Sequence, residues 1–219
     1  MWAALGHILP IAVAVALSSI PIMAAILILL SPNKRRSSLM FLIGFVLGLA
    51  VTVVVFTLLA QLATPPRRSQ AAIGISLIVI GFALLVFAIV VWRRGAGRPS
   101  SGIPKWLAAA ESMGPWSAFG LAFILNLRPK AILLSAATGL SIRGDDLSVT
   151  ESAIVIGVYT IVSASTVAFL IVASLVRPEK TEAQLVRMRT WITENNRIVT
   201  ILIMIMIGVV IIGNGLTRL

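Results

Sequence analysis

The chain has 219 residues, of which 59% are hydrophobic and only 11% charged, whereas soluble domains run at about 45–50% apolar and roughly 25% charged. It has no cysteine and one histidine, which excludes disulfides, thiolate catalysis, zinc–thiolate sites and a histidine-rich metal site. Its formal net charge of +11 sits between apolar runs, where cations set topology and meet anionic headgroups, so nucleic acid is rejected as a partner.

The mean hydropathy of +1.06 and the run lengths predict an all-α integral membrane protein. Six spans are expected, at roughly 5–30, 38–62, 70–92, 116–140, 150–176 and 196–217, each near the ~20 residues that cross a bilayer. They form one transmembrane domain over 1–219, with no room for a soluble domain beside it. Met1 to Leu30 lacks a basic start, and its apolar run is too long for a cleaved signal peptide.

Span one carries Ser18, Ser19 and Pro21 near its middle. Proline removes a backbone donor and clashes with the carbonyl four residues earlier. Pro21 is therefore expected to free the Leu17 carbonyl and break the helix. The serines then either bind substrate or satisfy carbonyls beside the kink. His7 lies near the outer end of this span and needs no special role. In span two, Gly44 and Gly48 form a GxxxG pair, a signal for close helix packing that also permits a homodimer.

Of the 18 Lys and Arg residues, twelve fall in the odd-numbered loops. Four lie in the even loops and the C-terminus, and two lie inside span four. The positive-inside rule then places both termini outside and the loops at about 93–115 and 177–195 in the cytoplasm. In the first of these, Trp106 and Leu107 beside Lys105 suggest a short interfacial piece, and Glu111 is expected to pair with a loop arginine. Three spans per half suit an inverted repeat of about 1–95 and 110–219. Gly6 and Pro21 in span one echo Gly114 and Pro129 in span four at the same separation.

Span four holds the most informative stretch, Asn126-Leu127-Arg128-Pro129-Lys130. Charged residues at membrane depth are costly, and they mark pathways or sites. Pro129 frees the Leu125 carbonyl and opens a half-helix N-terminus, which favours anions. Arg128 and Lys130 strengthen that preference, and Asn126 shares a face with Lys130. The spans hold no acidic residue to pair with them. The cations either bind an anionic ligand or bond carbonyls freed by the prolines.

Ser163, Ser165 and Thr166 fleck span five, and Asn214 flecks span six, most simply as helix contacts. Between them, Leu185, Met188 and Ile192 recur at helical spacing with Trp191, Arg187 and Arg189 nearby. That segment is either a basic amphipathic helix on the leaflet or a solvated linker. Phosphate or lipid enzymology would want clustered Asp or His at the membrane face. None is present, so the chain is expected not to be an enzyme, and no cofactor is implied.

Ala16 to Pro21, the exit Leu30-Ser31-Pro32-Asn33-Lys34-Arg35-Arg36, and Phe41 to Gly48 together resemble the glycolipid-addressing (GAP) family of actinobacteria. That family includes the sulfolipid-addressing proteins and belongs to the lysine-exporter (LysE) superfamily. Asn126 with Pro129-Lys130 is similar to the family's Asn-Pro-Lys signature, although Leu127 and Arg128 intervene here. The resemblance implies six helices in the plasma membrane and a role in moving envelope glycolipids. A polar-headed or anionic lipid is the implied substrate, and the residues themselves make Arg128, Lys130, Asn126, Ser18 and Ser19 the expected site, with Pro21 and Pro129 as the helix breaks. The wider superfamily suggests amino-acid-type efflux as an alternative. A third reading is a scaffold for a larger lipid-export machine.

Overall fold

The computed structural model describes residues 2–63, 69–95, 109–145 and 147–219. They form eight α-helices with no strand among them: α1 (Trp2–Ala16), α2 (Ser19–Leu29), α3 (Lys34–Ala63), α4 (Ser69–Gly95), α5 (Pro115–Leu125), α6 (Pro129–Gly144), α7 (Val149–Val176) and α8 (Pro178–Leu216). A 3₁₀ turn at Ala109–Ser112 precedes α5. Lys105, Trp106 and Leu107 lie outside the described residues.

Four helices are long and apolar enough to cross a bilayer alone. The pairs α1–α2 and α5–α6 pass the same test together, each bent at its break, so the total is up to six if each pair is one span. The protein is therefore a multi-pass, all-α membrane protein. Its element order runs broken span, long span, long span, and then repeats.

Two helix seams hold the bundle together. In the first, α3 lies along α5 and α6. A methyl group on Gly48 would come within 2.6 Å of Asn126 Nδ2, so the GxxxG pair packs inside the chain and its face is already occupied. In the second, α4 lies along α8. Here a methyl group on Gly74 would meet the Gly215 carbonyl at 2.7 Å, and one on Gly81 the Gly208 carbonyl at 2.8 Å. Small residues let backbones approach where lipid supplies no hydrophobic drive between helices.

α2 is apolar all round, so it has no face suited to solvent. Every residue from Pro21 to Leu29 is buried, beneath α3, α7, α8 and the 3₁₀ turn. α8 supplies part of this cover. At 39 residues it runs about 58 Å at 1.5 Å per residue, far more than the ~30 Å hydrocarbon core. Its apolar part is Ile198–Leu216. The expected loop at 177–195 is thus helix continuous with span six. Leu185 and Ile192 are buried in the protein core, with Met188 packed against it. The stripe expected to meet either the leaflet or water meets protein instead. Trp191 remains exposed.

Candidate functional site: two broken spans and a buried polar cluster

The first break falls at Leu17-Ser18, with a bend of 44°. Ser18 is the N-cap of α2, in extended backbone with no side-chain capping bond. Pro21 lies in the first turn of α2, and its ring would oppose the Leu17 carbonyl in a continuous helix. Ser19 is buried. This break is neutral, and Leu17 beside it is 46% exposed.

The second break falls between Leu125 and Pro129, with a bend of 62°. Asn126 is the C-cap of α5 and is buried against α3. Its side-chain amide donates to the Ala122 carbonyl at 3.0 Å and to the Phe45 carbonyl at 3.4 Å. Arg128 is the N-cap of α6, again in extended backbone with no capping bond, and Pro129 opens the helix. The leading N–H groups of α6 are therefore left uncapped. Arg128 Nε donates to the Leu125 carbonyl at 3.1 Å, the group that Pro129 deprives of its helical donor. Lys130 has no hydrogen bond or ion pair among the described residues.

This break opens at the bundle surface. Leu127 is 50% exposed and Ile124 61%, and Pro129 is exposed beside them. Arg128 and Lys130 are partly covered. Two cations thus lie beside an uncapped half-helix, within reach of the surface that a membrane protein presents to lipid.

A group of hydroxyls is buried nearby. Ser135 Oγ donates to Thr52 Oγ1 at 3.4 Å. Thr138 donates to the Leu134 carbonyl, and Ser163 to the Ala12 carbonyl. Tyr159 is wholly buried, and its hydroxyl lies among those of Thr138, Ser163 and Ser135 without a well-formed bond to any. Ser141 Oγ is likewise buried and unpaired.

At the end of the bundle that carries both termini, Arg218 Nη2 donates to Asp145 Oδ1 at 2.7 Å. His7 Nδ1 lies 3.2 Å from Arg218 Nη2 and 3.5 Å from Asp145 Oδ2. Asn214 donates to the His7 carbonyl at 3.4 Å. This group ties together α1, α6 and α8.

The sequence model of a protein family described as Sap, sulfolipid-1-addressing protein, matches residues 8–217. The chain belongs to this family. No curated protein and no solved structure matches it. Family membership gives the fold a lipid-related role.

The expected site residues do not all converge. Arg128 and Lys130 flank the second break. Asn126 turns toward α3 and holds the seam at Gly48. Ser18 and Ser19 belong to the other break, Ser19 buried and Ser18 half-buried. Ser163 proves to be a helix contact, through Ala12. Two groups escaped the sequence reading. His7, Asp145 and Arg218 are far apart in the chain, and only the presence of opposite charges near the same end of three spans hinted at them. Tyr159 is the sole tyrosine, and a lone tyrosine amid a polar-flecked span was a usable signal.

Proposed function

We propose that this protein moves a polar-headed or anionic envelope glycolipid, or its precursor, across the plasma membrane. The single observation that carries this reading is the second break: two cations beside an uncapped half-helix, open sideways to lipid. An anionic headgroup can meet Arg128 and Lys130 while its chains stay in hydrocarbon beside Ile124 and Leu127. Placing an arginine or lysine at membrane depth costs about 2.5–3.5 kcal/mol on insertion scales, and an anionic ligand offsets that cost. Covering the face with a second copy would instead crowd further cations against these.

The chain acts by binding and passage rather than by chemistry. An amino-acid exporter would suit a site enclosed on all sides, and this break is open on one. A scaffold role would leave the cations dispensable.

The test is lipid export. Surface and internal envelope lipids are extracted separately from cells lacking the protein. The cells are then rescued with wild type or with Arg128→Ala/Lys130→Ala. Losing two charge-assisted contacts is expected to lower export roughly 10- to 100-fold, at about 1.4 kcal/mol per tenfold. Full rescue by the double variant at normal membrane levels overturns the reading.

A further inference from the structure

The outer half of the second broken span carries an unexpected polar stripe. At about 100° per residue, Lys130, Thr138, Ser141 and Asp145 fall within an arc of roughly 80° on α6. Ser135 flanks the arc and reaches Thr52 on α3. Ser135, Thr138 and Ser141 are all buried. A buried hydroxyl stripe in a membrane bundle is costly unless it is satisfied by protein or by water in a cavity. Ser141 Oγ has no hydrogen-bond partner, and Tyr159 OH stands among hydroxyls without a well-formed bond to any of them.

The helix arrangement keeps the backbones of α6 and α7 apart. α6 packs on α3, α4 and α1, but shares no extended backbone contact with α7. The Tyr159 side chain crosses that interval from α7 and places its hydroxyl among Ser135, Thr138 and Ser163. The stripe starts at Lys130 and ends at Asp145, where Arg218 and His7 close over it. Arg218 is itself buried and holds the C-terminal end of α8 against α6.

We infer that this stripe is a polar passage from the cations of the second break to the Asp145 end of the bundle. Tyr159 occludes it midway, and the Asp145–Arg218–His7 ion pair latches its mouth. The passage takes the hydrated polar headgroup of an amphiphile, and this identity rests on the proposed lipid reading. Water and small anions enter the same passage when the latch opens.

The absence of cysteine makes a direct test available. Thr138→Cys and Ser141→Cys are introduced singly in the full chain, in membranes of intact cells. Each is exposed to sulfonatoethyl methanethiosulfonate, an anionic thiol reagent that does not cross lipid. Leu58→Cys, on an exposed apolar face of α3, is the lipid-facing control. With the latch intact, slow labelling is expected at both α6 positions. Adding Asp145→Asn with Arg218→Gln removes both members of the pair, so neither charge stays buried alone. Labelling should then rise about tenfold, as a shift toward an open population requires. Tyr159→Ala should raise labelling of Ser135→Cys, and Tyr159→Phe, which keeps the ring, should raise it less.

The passage is overturned if the α6 thiols stay as unreactive as Leu58→Cys in latch variants that insert and elute like wild type. It is also overturned if Tyr159→Ala leaves Ser135→Cys unchanged. The labelling readout is independent of lipid export. Labelling without any dependence of export on Arg128 and Lys130 keeps the passage and removes the lipid reading. The converse keeps the lipid reading and removes the passage.

Discussion

The two broken spans share a construction and differ in their surroundings. Each is a short helix, a two- or three-residue gap, and a second helix whose N-cap lacks a side-chain bond. The first carries no charge and feeds α2, which is buried from Pro21 to Leu29. The second turns at the bundle edge and carries two cations. A proline-broken helix is therefore not by itself a site. Its environment decides whether the freed polar groups are absorbed by protein or offered to a ligand.

The largest expected effect comes from making the second break resemble the first. Arg128→Leu with Lys130→Ser removes both charges and keeps Pro129. Export should fall by roughly 10- to 100-fold, as expected for two lost charge-assisted contacts, while the bend persists. The check is surface lipid recovered per unit of inserted protein. Placing a cation at the buried position of the first break, through Ser19→Lys, should instead prevent accumulation. Buried cations without partners are not tolerated, and protein levels in membrane fractions measure this.

The seam beside the second break gives the next effect. Gly48→Leu would drive a side chain into Asn126 and should destabilise the bundle by about 1–3 kcal/mol, read by thermal unfolding in detergent. Arg128→Lys sharpens the comparison further. It keeps the charge but loses the planar fork that bonds the Leu125 carbonyl. Export should drop only a few-fold, since one contact worth about 1 kcal/mol is lost. The smallest effect belongs to Ser18→Ala. A capping serine contributes about 0.5–2 kcal/mol, but Ser18 makes no capping bond, so unfolding should barely shift. A clear loss of stability there would show that the first break uses its hydroxyl after all.

Much of the architecture was legible from the chain. Long apolar runs imply spans, and the GxxxG pair implies close packing, because both follow from local composition. Pro129 with Arg128 marked the second break for the same reason, and the freed Leu125 carbonyl did find a donor in Arg128. The direction in which Asn126 turns was not legible, since helical spacing alone places it beside Lys130. The Gly48 cleft on α3 draws it the other way. The helical stripe in 177–195 was legible, but its burial in the protein core was not, because the spacing of a stripe does not say whether lipid, water or protein covers it.

By itself, the sequence determined that this is a multi-span helical membrane protein with two cations stranded at mid-span. These features depend on the solvation of each residue in hydrocarbon. Tertiary structure alone decided that the helix after the first break is buried from Pro21 to Leu29. It also decided that Tyr159 stands among hydroxyls of α6 and of its own helix, and that Arg218 closes on Asp145 and His7. Such pairings depend on how helices distant in sequence pack, and no local pattern encodes them.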